Sequence, residues 1–256
     1  MQVSVALVVI VVAGVAVAML GGSRGPAAQS EPPQAASTRL TTSTLSQQTT
    51  AASQRGGTTP DAVFAGAEAS RAGIASYNRG DVGVAVTQFT AAVERDPNNA
   101  EALNNLGQVL VRSGRAREAI PYFDRAIAIA NSIWSYHFNR AKAYGDLREW
   151  RQAIAGYTEA ARLFPDDYVT QFNLARARQA DGDLPEALEA YAKATKLAPG
   201  QADFHLWYGQ ALDQSGKRPE AAVEYRRFLE LDPKASEAEK VKGRLSELGD
   251  APAASS

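Results

Sequence analysis

Three patterns of apolar and polar positions follow one another along the chain. Val3 to Leu20 is an apolar run of 18 residues in which Ser4 is the one polar side chain. Gly21 to Pro60 is rich in Ala, Ser, Thr, Gln, Gly and Pro, with four formal charges on Arg24, Glu31, Arg39 and Arg55. From about residue 66 a pattern of small and aromatic positions returns at a fixed offset of 34. Ala85, Ala119, Ala153, Ala187 and Ala221 fall in register. Four residues later stand Phe89, Phe123, Tyr157, Tyr191 and Tyr225, and three further on Ala92, Ala126, Ala160, Ala194 and Phe228. Twelve residues before each registered alanine is Gly73, Gly107, Ala141, Ala175 or Gly209. Pro97, Pro165, Pro199 and Pro233 close four of the units.

This pattern predicts pairs of antiparallel helices. An alanine and the aromatic four residues on share one helix face, and a small residue in the first helix lets the second approach closely. Proline ends the second helix, because it lacks an N–H. Breaks within pairs are expected at Gly80-Asp81, Gly114, Asp181-Gly182 and Ser215-Gly216.

The registered residues resemble the tetratricopeptide repeat family over residues 66 to about 235, as units 66–99, 100–133, 134–167, 168–201 and 202–235. The resemblance implies an all-α, right-handed α-solenoid of helix-turn-helix repeats with a concave peptide-binding groove. Residues 236–248 are expected to form a C-terminal cap helix, with Val241, Leu245 and Leu248 at helical spacing, because a terminal repeat needs a solvating cover. The repeat domain then runs over 61–249, with a disordered tail at 250–256. Some positions depart from the family pattern. Ala69 and Ala72 stand where bulkier residues are usual, which predicts loose packing of the first helix. Arg140 replaces an aliphatic residue, Arg148 replaces the turn glycine, Asn131 replaces the closing proline, and Pro121 lies inside a second helix.

The sixth residues of the units are Arg71, Asn105, Asn139, Asn173 and Trp207. At about 100° per residue they point roughly 160° away from the packed eighth position and about 60° from the ninth. The ninth residues include Gln108, Lys142, Arg176 and Gln210. The result is a polar strip of amides and cations that is expected to line the groove, with Phe138 and Phe172 beside it. A carboxamide both donates and accepts, so it can hold a peptide backbone. Lys142 and Arg176 favour an acidic segment, and Trp207 is a candidate anchor. The alternative is that the strip is solvated surface.

Composition narrows the chemistry. A net charge of −1 gives no support to nucleic-acid binding. The absence of cysteine removes disulfides, thiolate metal sites and a cysteine nucleophile. His137 and His205 are two repeats apart, with no ligand or nucleophile cluster beside them. Trp150 occupies the aromatic slot early in a second helix and is expected in the core. Gly216-Lys217 lacks the spacing of a phosphate loop. No enzyme, metal or cofactor is expected.

The N-terminal run is near the lower length limit for spanning a bilayer as a helix. It exceeds the usual core of a signal peptide and follows no Lys or Arg, although Ala16-Val17-Ala18 suits signal cleavage. The expected protein is therefore a single-pass membrane-tethered scaffold that binds other proteins through peptide segments, with residues 21–60 as a flexible tether. The alternatives are a secreted or periplasmic adaptor and an accessory domain regulating an enzyme such as a glycosyltransferase.

Overall fold

The computed structural model describes residues 59–249. The expected membrane segment at 3–20, nearly all of the tether and the tail at 250–256 lie outside the described residues. Among the described residues there are eleven α-helices and no strand. They are α1 (Pro60–Arg79), α2 (Val82–Arg95), α3 (Ala100–Arg112), α4 (Ala116–Ile129), α5 (Trp134–Asp146), α6 (Trp150–Leu163), α7 (Tyr168–Asp181), α8 (Leu184–Leu197), α9 (Ala202–Gln214), α10 (Arg218–Leu231) and α11 (Ala238–Glu247). They divide into two compact units, with the boundary inside α5 between Ala143 and Tyr144.

Local chemistry sets the helix ends. The Thr59 hydroxyl accepts from the Ala62 amide at 3.3 Å, and Pro60 occupies the first turn of α1, where its missing N–H costs nothing. This start precedes the expected one, because Val63 and Ala67 extend the buried face of α1 backwards. Asn99 caps α3 by accepting from Ala102 at 2.9 Å, and Asp167 caps α7 by accepting from Thr170 at 2.9 Å. Pro121 lies within α4, on its exposed face, and the helix continues through it.

Packing follows the small-and-aromatic register. In the first unit, a methyl group on Gly107 would lie 2.6 Å from the Phe123 ring, and one on Gly73 would lie 2.9 Å from Phe89. In the second unit, a methyl group on Gly209 would meet Tyr225 at 2.8 Å. These rings therefore lie directly on the backbone of the partner helix. Ala85, Ala119, Ala153, Ala187 and Ala221 are all fully buried. The expectation of loose packing in α1 is not met. Ala69 is buried and Ala72 is exposed, and a methyl group on Gly66 would stand 3.3 Å from the Ala92 carbonyl oxygen, so α1 lies close to α2 there. The final helix begins at Ala238, not Ser236, and buries Ala238, Val241 and Leu245.

The turns between paired helices need a left-handed residue. Gly80, Gly114, Gly182 and Gly216 supply it with φ between 78° and 93°. Arg148 occupies the same conformation with φ 59° and is the sole non-glycine residue with positive φ among those described. An L-residue in this region costs about 1–2 kcal/mol. The exposed Arg148→Gly variant relieves that cost but adds glycine's unfolded-state entropy. It should stabilise the protein by about 0.5–1 kcal/mol, read as a rise in melting temperature of a few degrees. An unchanged or lower melting temperature would show that the Arg148 turn is unstrained.

Candidate functional site

The predicted strip residues fall into two sets, one in each compact unit. In the first unit Arg71 is exposed, while Asn105, Gln108, Asn139 and Lys142 are half-buried. The Asn139 amide on α5 donates to the Asn104 carboxamide oxygen on α3 at 2.9 Å. Asn104 is itself buried, so this pair ties neighbouring first helices together. That bond uses one of the four hydrogen-bonding positions of the Asn139 carboxamide.

In the second unit Asn173 and Arg176 stand on α7, and Trp207 and Gln210 on α9. The Arg176 guanidinium lies 4.8 Å from the Trp207 ring centre and 5.9 Å from that of Phe172. Both distances permit attraction between the cation and the ring face. Below it the aromatic rings are continuous. Phe172 stacks on Phe204 with centroids 4.2 Å apart, and Tyr168 meets Phe204 at 5.8 Å. The Tyr191 ring meets Phe172 edge-on at 5.8 Å, and its hydroxyl donates to Gln179 at 2.8 Å. This cluster fixes the platform on which Arg176 rests. Arg176 is exposed and pairs with no carboxylate among the described residues, so its N–H donors are presented to solvent. Asn173 donates to the Val169 carbonyl of its own helix at 2.8 Å, and Gln210 is half-buried.

The two histidines have structural partners. The His137 Nε2–H donates to the Asn131 carbonyl at 2.9 Å, and the His205 Nε2–H donates to the Pro199 carbonyl at 3.1 Å. Gln171 occupies the same register and donates to the Pro165 carbonyl at 3.2 Å. In each case a side chain in the first turn of a helix ties down a carbonyl of the preceding loop. His205 also has Nδ1 2.6 Å from the Glu224 carboxylate. Among the described residues, no group of three or more His, Cys, Asp or Glu is placed to hold a metal ion. Trp150 is half-buried at the start of α6.

One titratable group escaped the sequence reading. Glu101, second in α3, has a buried Oε1 without a hydrogen-bond partner, and burial pushes its carboxyl up to about 7. Burial raises the Tyr136 phenol on α5 to about 12, helped by the nearby Glu101 charge. A glutamate in the first turn of an amphipathic helix looks solvated in sequence. Its burial is set by a neighbouring helix, for which the sequence at Glu101 gave no signal.

With this geometry in hand, comparison with known proteins defines the class. A profile of the tetratricopeptide repeat matches residues 70–132, 138–201 and 172–236, more than half of the chain. The chain belongs to the tetratricopeptide repeat family, whose fold is consistent with protein–protein interaction. It is 31% identical over 77 residues to protein O-mannosyl-transferase Tmtc3 of Drosophila melanogaster, a match covering 30% of this chain and 8% of that protein. The chain thus spans under a tenth of that relative. The crystal structure of MamA protein superposes with a TM-score of 0.62 at 23% identity, over 68% of this chain and 94% of that one. YrrB, described as a TPR protein with an unusual peptide-binding site, superposes with a TM-score of 0.60 at 20% identity, over 68% and 90% of the two chains. At these identities the structures share the fold alone. No helix among the described residues is long and apolar enough to cross a membrane.

The Glu101 carboxyl makes a pH test available. Its folded value of about 7 lies above its ordinary 4.5. The folded protein therefore binds the proton more tightly than the unfolded chain, and stability falls as pH rises between those values. Glu101→Gln removes the buried charge. The variant should match the parent near pH 4 and exceed it by on the order of 2 kcal/mol at pH 8, by denaturant unfolding. Equal stability of the two proteins at pH 8 would show that the carboxylate is solvated.

Proposed function

We propose that this protein is a non-catalytic scaffold that holds acidic peptide segments of partner proteins on the exposed face of its first helices. The observation that carries this reading is Arg176, poised on Trp207 and without a carboxylate of its own. A guanidinium so placed offers forked donors to an incoming carboxylate, while the indole offers a flat apolar surface beside it. Asn173 and Gln210 flank it with carboxamides, which suit a peptide backbone. In the first unit, Arg71, Asn105, Gln108, Asn139 and Lys142 supply groups of the same kind. The paired Asn139 acts there as a fixed acceptor and donor. The function read here needs no cofactor, metal or nucleic acid.

Arg176→Gln is the direct test, because the side chain is exposed and glutamine suits a helix. Affinity isolation with the full chain should recover partners several-fold less well with this variant, at a melting temperature close to the parent's. The difference should shrink at high salt, which screens the exposed charge. Full recovery of partners by the variant would make the patch ordinary solvated surface.

The apolar run at Val3–Leu20 supports a membrane-tethered form of this scaffold. The full chain should then sediment with membranes and resist carbonate extraction, and deleting residues 1–58 should release the repeats. Mature protein beginning near Met19, free in the periplasm or medium, would instead establish the exported adaptor that Ala16-Val17-Ala18 suggests.

A further inference from the structure

The polar strip of the second unit continues past Gln210. An open cleft of about 690 Å³ is lined by α7, α9, α10 and α11, and its lining includes Gln179, Gln210, Gln214, Tyr225, Lys240 and Gly243. Its size is that of pockets that enclose ligands. Arg176 stands one turn before Gln179 on α7, and Trp207 one turn before Gln210 on α9. The cleft is therefore the next station along the same two helices.

Its walls are fixed. Arg244 makes two hydrogen bonds to Asp213, at 2.6 and 2.8 Å, and one to Glu247 at 2.6 Å. The Asp213 carboxyl is held below its ordinary range by this guanidinium. On the other side, Gln179 donates to Gln214 at 2.9 Å. The cleft has no excess of positive charge: Arg244 is matched by Asp213 and Glu247, and with Glu237 and Lys240 in the lining three acidic side chains face two basic ones. Gln210 makes no side-chain hydrogen bond among the described residues. A lining of carboxamides without an excess of positive charge suits an uncharged backbone.

Gly243 supplies the second observation. It sits inside the ten-residue α11, where glycine costs roughly 1 kcal/mol relative to alanine. A methyl group there would meet nothing within 4 Å. No contact within the described residues requires glycine at this place, and its bare backbone opens onto the cleft. Glycine at such a position lets another chain lie close against the helix.

We infer that the cleft receives the extended, uncharged continuation of the partner segment whose acidic residue rests on Arg176. Its backbone crosses α11 at Gly243 and is held by the carboxamides of Gln210 and Gln214. The cap helix is thus a wall of the binding site as well as a cover for α10. This inference rests on the acidic-segment reading given above.

The test uses the full chain in detergent and three fluorescent peptides, read by anisotropy. One is acetyl-tetraglutamate amide. The others carry the same tetrad with six alternating alanines and serines added at its N- or C-terminal end. One extended peptide should bind on the order of tenfold more tightly than the tetrad. Gly243→Phe, whose ring enters open space, should erase that gain and leave tetrad affinity unchanged. Gly243→Leu, which favours the helix, should do the same if the phenylalanine variant folds poorly. A benzophenone in the extension should crosslink to residues 240–244 in the parent protein. Tetrad binding with no gain from either extension, or a gain that survives both substitutions, overturns the cleft alone. Failure of the tetrad to bind in an Arg176-dependent way overturns the acidic-segment reading, and the cleft with it. A gain seen only after deletion of residues 250–256 would make the chain's own tail the occupant and overturn the inference.

Discussion

An aromatic ring pressed flat on a helix backbone leaves no space for a methyl group, and the rest of this structure is arranged around that contact. At Gly73, Gly107 and Gly209 the ring of the partner helix lies where a side chain would begin, at 2.9, 2.6 and 2.8 Å. The rings are buried, so each exchanges water for close dispersion contact along its whole face. In these three pairs the contact sets both the distance and the rotation of the helices, while Ala141 and Ala175 stand at the same place in the other two. Rotation decides which positions of the first helix point outward. The strip of sixth and ninth residues is therefore a by-product of packing on the opposite side of the same helix.

The repeating contact was legible in the sequence because it imposes a fixed spacing and a narrow choice of residue. The Arg148 turn was legible for the same reason, since four glycines in register leave one exception in view. What escaped depends on neighbours outside the local pattern. Small residues in α1 suggested loose packing, yet α1 lies close to α2 at Gly66. Asn139 reads as a free carboxamide until Asn104 is placed beside it. Glu101 reads as a first-turn acid at a helix start, and only the fold around it removes its water. Nothing in the spacing around Gly243 sets it apart. The emptiness facing it is a property of three-dimensional space that no spacing rule records.

Several charges among the described residues are settled by partners close along the chain. Arg115 pairs with Glu118, Arg162 with Glu159, Arg227 with Glu230 and Lys242 with Glu239, each three residues apart. Such exposed pairs add little stability, but they neutralise the surface and discourage indiscriminate attraction. Arg176 departs from that arrangement. Its charge faces rings, which attract it without cancelling it. An approaching anion therefore meets a cation that is held in place and still uncompensated. Specificity of this kind comes from a charge that is held in place without being cancelled.

The bonds from His137, Gln171 and His205 to the loop carbonyls before them have a mechanical side. Each closes a short loop onto the first turn of the next helix, at 2.9, 3.2 and 3.1 Å. A chain pulled from its ends would have to straighten these corners before it could peel one helix pair from the next. Each corner adds one hydrogen bond, about 1 kcal/mol, at the place where tension concentrates. Resistance to force then resides in the corners between repeats, and the exposed faces of the helices are spared the load.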